Sequence, residues 1–305
     1  MYSTGLQKQR GMTLVELMIA GVISIIVGLV VMQLMIGSNR ASNRLDGLSQ
    51  AQENARFSMS WLTDQIRHAG YVGDIFFETA PGIAERCTEN FVPPASNADC
   101  VYEDLAGTRS GDRIAIRRFY VDNGGTDWSQ QSCSGAAIPA GIDEEYLVDV
   151  FWVEADADAD GNLNIGDDYD DWLRCATYRE STGTIIGTVQ TIASGIESMQ
   201  VLYTAPGAGN SATQYVGADT LAAASVTTAQ SGETAPTNSD IEYLPDVTAV
   251  RIAILARAFS DAAQVTGDRS YVLLDADPLV FDDRVPRQIL ETTIFLPNRP
   301  LSGSL

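Results

Sequence analysis

The sequence predicts an α+β protein in which one long N-terminal α-helix packs on a mainly antiparallel β-sheet head. An apolar run near the N-terminus continues, without proline, into an amphipathic segment that ends near residue 70. Strand-like runs then follow one another with no helical pattern between most of them, which favours antiparallel pairing. The 305 residues, 45% of them hydrophobic, are enough for one such helix and one sizeable head.

The apolar run, residues 12–36, predicts a membrane-spanning helix, because about 20 helical residues cross a hydrocarbon core of about 30 Å. Glu16 is its only charged residue. A carboxylate in lipid is costly, so this glutamate needs a partner or a purpose. Lys8 and Arg10 precede the run and favour a cytoplasmic N-terminus, which places the rest of the chain beyond the membrane.

The next segment, residues 37–70, predicts the amphipathic half of the same helix. Apolar residues recur there at intervals of three, four and seven, and Phe57 and Trp61 widen the stripe that they form: Leu45, Leu48, Ala55, Met59, Leu62 and Ile66. Residues 12–68 contain no proline, and Gly70 supplies the stop signal. We interpret His68 as a helix-end residue without a functional role.

The head, residues 71–305, is predicted to be rich in β-structure. Strand-like runs occupy residues 113–121, 146–153, 172–179, 185–192, 198–204, 247–256, 271–274 and 290–296. We expect one sheet face to cover the amphipathic half of the helix. The segment 205–240, dominated by Gly, Ala, Ser and Thr, predicts an insertion that buries little apolar surface, with a short helix near 221–224. It is either a solvated loop or a partner-contact loop.

The charge balance argues against a nucleic-acid partner. The formal net charge is −21, and a negative field of that size repels phosphate backbones. The densest basic group, Arg113, Arg117 and Arg118, lies next to aspartates. We interpret it as the solvated face of a strand.

Four cysteines, Cys87, Cys100, Cys133 and Cys175, lie on the exported side of the apolar run. An oxidising compartment favours disulfides, and four cysteines allow three pairings. We favour Cys87 with Cys100 and Cys133 with Cys175, because both pairs close modest loops. A zinc site has little support, since no Cys-x-x-Cys motif occurs and the single histidine is distant in sequence.

A twelve-residue acidic loop between two predicted strands is the sharpest chemical motif. Calcium takes six to eight hard oxygen ligands, which such loops supply at alternating positions around a glycine turn. Gly161 provides the turn here, and the candidate ligands are Asp156, Asp158, Asp160, Asn162, Asn164 and Asp167. Aspartate at the last position is shorter than the usual glutamate. The motif predicts a structural Ca²⁺ site, with a solvated acidic turn as the alternative.

Enzymatic motifs are not found in the sequence. The sole histidine, His68, has no recognisable nucleophile motif beside it, and neither G-x-S-x-G nor a phosphate-binding loop occurs. We therefore expect no catalytic activity and no small-molecule substrate.

The N-terminus resembles the class III signal of type IV pilins and pseudopilins. The resemblance rests on a short basic leader, Gly11, a following hydrophobe, Glu16 five residues into the new chain, and an uninterrupted apolar run. It implies cleavage after Gly11 by a prepilin peptidase, methylation of the new amine on Met12, and pairing of Glu16 with the amine of a neighbouring subunit. Met12 departs from the usual phenylalanine. Residues 1–11 would then be the leader.

The end of the long helix, residues 64–71, and two late segments of the head, residues 247–257 and 287–298, resemble PilW-type minor pilins. The resemblance implies a pilin-like fold and a structural role in the assembly-initiating or tip complex of a type IV pilus. Its partners would be other minor pilins, the major pilin and the prepilin peptidase. The chain would cross the inner membrane once with a periplasmic head, and then enter the pilus at the cell surface.

Two other functions stay open from the sequence. PilW-type proteins are similar to J-type minor pseudopilins, so a minor pseudopilin of a type II secretion system is the first alternative. A membrane-anchored binding protein or enzyme is the second.

Overall fold

The computed structural model describes residues 12–71, 82–83, 101–104, 110–122, 124–125, 128–142, 144–154, 171–205, 213–225, 247–259, 268–283 and 285–298. Two helices, α1 (Leu14–Ile66) and α2 (Ala218–Ser225), accompany ten strands and a short 3₁₀ turn (Trp128–Gln130) in these residues. The strands are β1 (Ile114–Tyr120), β2 (Glu145–Glu154), β3 (Trp172–Arg179), β4 (Ile185–Ser194), β5 (Ile196–Ala205), β6 (Gln214–Val216), β7 (Ala249–Arg257), β8 (Arg269–Tyr271), β9 (Leu279–Phe281) and β10 (Arg287–Phe295). The predicted α+β class is confirmed.

The described strands pair in two four-stranded sheets and one hairpin. The sheets have the orders β1-β2-β3-β4 and β10-β7-β5-β6, and β8 pairs with β9. Every one of these pairings is antiparallel. This is the arrangement expected when strands follow one another in sequence without crossover helices.

The chain divides into two compact units, residues 1–46 and 47–305. In the first unit, α1 is apolar and uncovered. Its most apolar 18-residue window has a mean hydropathy of 2.7 and is not buried at all. By length and composition, α1 qualifies as a membrane-spanning helix.

In the second unit, α1 presents mostly small residues to the head. Its buried residues are Gly47, Ala51, Ala55, Ser58, Met59, Leu62 and Ile66. The predicted stripe is therefore partly wrong, because the Leu45 and Phe57 side chains are 67% and 54% exposed. Met59, Leu62 and Ile66 join the main core with residues from both large sheets. Small side chains at intervals of four let backbones approach closely, a feature that a search for large apolar residues misses.

The sequence located most strands but missed the shortest. The predicted strand 271–274 is wrong, because β8 ends at Tyr271, and the three-residue strands β6 and β9 were not predicted. In the segment 205–240, helix α2 is present as predicted. The low burial expected there is wrong for Ala218 and Leu221, which are buried in the main core. Three residues are too few to show a period of two.

The two arginines of β1 and the one just before it are buried, so their interpretation as a solvated face is wrong. The exposed fractions of these residues lie between 2% and 8%: Arg113, Arg117 and Arg118. Arg118 Nε donates to Asp149 Oδ2 at 2.7 Å, and Arg117 Nε donates to Glu180 Oε2 at 2.8 Å. These carboxylates are distant in sequence, and only strand pairing brings them to β1.

The buried pair predicts a large loss of stability when its cation is removed. Arg118→Met leaves the Asp149 carboxylate buried without its counter-ion and is expected to lower the free energy of unfolding by about 3–5 kcal/mol. The matched control is Arg251→Met, because the Arg251–Glu291 pair has side chains 41% and 40% exposed. This control should cost less than about 1 kcal/mol. Urea unfolding of the full chain in detergent measures both; equal losses would contradict the prediction.

Candidate functional site

A capping box closes the N-terminal end of α1. The Thr13 backbone N–H and the Thr13 hydroxyl each donate to Glu16 Oε2 at 3.0 Å. The Glu16 backbone N–H donates to Thr13 Oγ1 at 3.3 Å. Such reciprocal bonds satisfy backbone donors that the first helical turn leaves unpaired. The Glu16 carboxylate therefore has hydrogen-bond donors within its own chain, which the sequence analysis did not anticipate; Gly11 lies outside the described residues.

The helix that follows this box exposes a continuous apolar surface. Its large apolar side chains between Met12 and Ile36 are between 42% and 76% exposed. Backbone groups of a helix are satisfied internally, so such a segment is compatible with lipid. Packing against other apolar helices satisfies the same surface. An uncovered apolar surface of this length calls for one of these two surroundings.

The predicted calcium ligands all lie outside the described residues, but both ends of their loop are described. Glu154 in β2 and Trp172 in β3 are register partners, so the loop is the connection of an antiparallel hairpin. The carboxylates at its two ends already have cationic partners: Glu154 pairs with Arg174 at 3.0 Å, and Asp171 pairs with Arg257 at 3.1 Å. Within the described residues, no cluster of His, Cys, Asp or Glu side chains could hold a metal.

The predicted disulfide between Cys133 and Cys175 is confirmed. It joins the segment after the 3₁₀ turn to the buried centre of β3. The Cys133 backbone N–H donates to the Thr177 hydroxyl at 2.8 Å, and that hydroxyl donates to Asp149. Cys87 and Cys100 lie outside the described residues, so their pairing stays a prediction.

A second group of buried charges links the ends of three strands, and the sequence did not reveal it. Arg287 donates to both Glu197 and Asp283, and Arg257 lies 3.7 Å from Glu197 and 3.1 Å from Asp171. Burial of Asp283 raises the pKa of its carboxyl, but hydrogen bonds and charge from Arg287 outweigh it, and this pKa lies below its ordinary value. The group fixes the beginnings of β5 and β10 against the end of β7.

Asp112 is a buried carboxyl whose environment disfavours its charge. It is 3% exposed. Its oxygens accept hydrogen bonds from the backbone N–H groups of Asp104 and Val201, both at 2.7 Å. Burial raises the pKa of Asp112 to about 8, with smaller contributions from Glu103 and Asp275, although the two hydrogen bonds act in the opposite direction. Its place is structural, because it ties the segment before β1 to β5.

Comparison with known proteins finds a family that part of the head resembles. Residues 150–298 match the model of the family described as type IV pilus-assembly protein W. Over these residues the head is similar to the PilW family. The match to this PilW-like head runs from β2 to β10 and does not include α1, so it is independent of the N-terminal signal. No curated protein matches the chain.

Among solved structures, a type IV-like pilin from Thermus thermophilus is similar to this PilW-like chain. The alignment has a TM-score of 0.42 and 11% sequence identity, and it covers 81% of this chain and 95% of that one.

The raised pKa of Asp112 predicts a stability that falls with rising pH. The folded chain holds this proton more tightly than the unfolded chain, whose ordinary value is 3.8. The stabilisation is therefore full below about pH 4 and is lost as the pH rises towards 8. Asp112→Asn cannot ionise, so its melting temperature should fall less between pH 5 and pH 8.

The matched control for this measurement is Asp277→Asn, an exposed aspartate outside the core. It should keep the pH dependence of the original chain, measured by thermal melting in detergent. The assignment to Asp112 would be refuted by an unchanged pH dependence in Asp112→Asn.

Proposed function

We propose that this PilW-like protein is a minor pilin, a structural subunit of the assembly-initiating or tip complex of a type IV pilus. The observation that carries the proposal is the presence in one chain of two independent features. One is an uncovered apolar helix that begins with a capped glutamate, Glu16, and the other is a head that matches the PilW family over residues 150–298. Neither feature requires the other by sequence or by packing.

In this proposal, the apolar surface of α1 lies first in the membrane and then in the fibre. The precursor crosses the inner membrane through residues 12–36, with its head in the periplasm. A prepilin peptidase cuts after Gly11 and methylates the amine of Met12. The same apolar surface then leaves the lipid and packs among the helices of other minor pilins and the major pilin, where protein replaces hydrocarbon.

The role proposed for Glu16 is to set the register of that packing. In the single chain its carboxylate is held by Thr13, which lowers the cost of a charge in apolar surroundings. Cleavage creates a new cation, the amine on Met12, the residue immediately before Thr13. When subunits pack, the amine of one chain can pair with Glu16 of the next in a dry environment, and an unpaired carboxylate there would be strongly disfavoured.

Removing the Glu16 charge tests the proposal directly. Glu16→Gln keeps the size and a hydrogen-bonding oxygen but cannot form an ion pair, so we expect the processed protein in membranes and none in sheared surface fibres. Thr13→Val is the matched control, since it removes the capping hydroxyl and keeps the charge; we expect it in fibres at reduced amount. Intact mass of the membrane protein should show loss of residues 1–11 and one added methyl group.

Three results would overturn the proposal. An uncut precursor in cells that contain the peptidase would exclude processing. Glu16→Gln recovered in fibres at the original level would exclude the role of the charge. Normal surface fibres in cells lacking the protein, together with a loss of protein secretion, would assign it to a type II secretion system instead.

We also propose that a structural Ca²⁺ binds the connection between β2 and β3 through Asp156, Asp158, Asp160, Asn162, Asn164 and Asp167. The support is the ligand spacing together with the described ends of the loop. Glu154 and Trp172 are fixed to each other by strand pairing, and the carboxylates of Glu154 and Asp171 are matched by arginines. The remaining acidic residues of the loop repel one another, and a divalent cation would relieve that repulsion.

Chelation tests the calcium site. If the site binds only the folded chain, calcium at about 100 times its Kd adds about 2.7 kcal/mol of stability. We expect the melting temperature of the full chain to rise in millimolar calcium and fall with a chelator, and Asp156→Asn with Asp158→Asn to abolish the difference. Asp122→Asn, an exposed aspartate in another turn, should retain it. Identical melting of the unaltered chain with calcium and with chelator would contradict the site.

A further inference from the structure

A cavity of about 280 Å³ lies beside the C-terminal end of α1. Trp61, Gln65 and His68 form the helix side, and Trp128, Gln131 and Ser134 form the opposite side. The sequence analysis gave His68 no role, and nothing in the assembly proposal uses this cavity. Its volume is slightly below the usual range for ligand pockets, which is roughly 300–1,000 Å³, and suits a single ring-sized group.

The most exposed ring in this cavity, Trp128, is held in place. Its indole is stacked on the His68 imidazole, with ring centroids 3.6 Å apart and planes 2° from parallel. Tyr71 packs its ring against Trp128 edge-on at 4.8 Å. Trp128 nevertheless remains 40% exposed. A large aromatic ring that is both fixed and exposed loses little entropy when a ligand covers it, which is typical of recognition sites.

The backbone that carries Trp128 is also fixed, by buried contacts on the far side from solvent. The Arg118 guanidinium donates to the backbone carbonyls of Ser129 and Gln131. The Gln130 side chain donates to the Val121 carbonyl at 2.8 Å, and the disulfide of Cys133 anchors the segment that follows. The cavity wall is therefore part of the rigid head, and a site on rigid elements keeps its geometry.

The described lining of this cavity carries no carboxylate, although the chain has 40 acidic residues. Arg118 is its one permanent cation, and that charge is matched by Asp149 at 2.7 Å. Burial lowers the pKa of the His68 imidazole, with the charge of Arg118 acting in the same direction, while Asp64 and Asp149 act against it. The lining thus combines aromatic rings with neutral amides and hydroxyls.

We propose that this cavity binds a neutral sugar, one pyranose ring of a carbohydrate. The apolar C–H face of a pyranose would lie against the exposed part of the Trp128 ring. Its hydroxyl groups, each both donor and acceptor, suit the amide of Gln65 and the paired hydroxyls of Ser132 and Ser134, whose oxygens lie 2.7 Å apart. Arg118, the one permanent cation of the described lining, is paired with Asp149, which disfavours an anionic ligand, and a purely apolar ligand would remove water from the Gln65 amide.

Saturation-transfer difference NMR on the full chain in detergent tests the assignment. The probes are galactose, glucose, mannose and N-acetylglucosamine, with glucuronate as the anionic comparison. At least one neutral sugar should receive saturation on its ring C–H protons, and glucuronate should receive none. Trp128→Ala should weaken that binding at least tenfold, and Trp128→Phe, which keeps a ring, should weaken it less.

A second variant keeps the test valid if Trp128→Ala does not fold. Ser134→Phe leaves Trp128 in place and adds a bulky ring to the lining of the cavity, so it should abolish binding. Phe295→Ala is the matched control, because this aromatic residue is 72% exposed and lies outside the cavity. It should bind sugar as the original chain does.

Two results would overturn the inference. One is the absence of saturation transfer to every neutral sugar of the panel; the other is binding that survives in Ser134→Phe. A response to peptides with aromatic side chains and to no sugar would assign the cavity to a protein partner instead. The measurement uses the single chain and needs no assembled fibre, so failure of the assembly proposal would leave it unaffected.

Discussion

The ion pair between Arg118 and Asp149 is the interaction on which most of one half of the head depends. Both side chains are almost fully buried, with 3% and 1% exposure. Arg118 also donates hydrogen bonds to the backbone carbonyls of Ser129 and Gln131. Asp149 accepts a hydrogen bond from the Thr177 hydroxyl, which in turn accepts one from the Cys133 backbone N–H. Strands β1, β2 and β3, the 3₁₀ turn and the disulfide are thereby joined in one network. Breaking the pair would leave a buried charge and release several segments together.

Several arginines of the head are enclosed together with carboxylates. Arg113, Arg117, Arg118, Arg257 and Arg287 are all buried. A cation enclosed with a carboxylate contributes little to the outer field. A chain of net charge −21 thus presents a strongly negative exterior. Such a surface favours cationic partners and divalent ions.

The N-terminal helix has two parts whose side chains need different surroundings. Its first part exposes large apolar side chains on all sides, which only lipid or other helices can cover. Its second part buries small residues at intervals of four against the head. The Thr13–Glu16 capping box adds a third requirement at the very start, because a carboxylate must be satisfied where water is scarce. One continuous helix, α1, meets all three requirements.

The sequence by itself determined the fold class, the apolar span, the positions of the longer strands and the disulfide between Cys133 and Cys175. Periodicity, length and cysteine spacing are properties of the local sequence, so they can be recognised without knowledge of the tertiary arrangement. The tertiary structure decided which charges are interior. From the sequence, Arg118 was interpreted as solvated, but strand pairing brings Asp149 beside it. His68 was interpreted as a helix-end residue, but the 3₁₀ turn stacks Trp128 on its ring. The physical reason is that burial and pairing depend on partners tens of residues away, which no local pattern encodes.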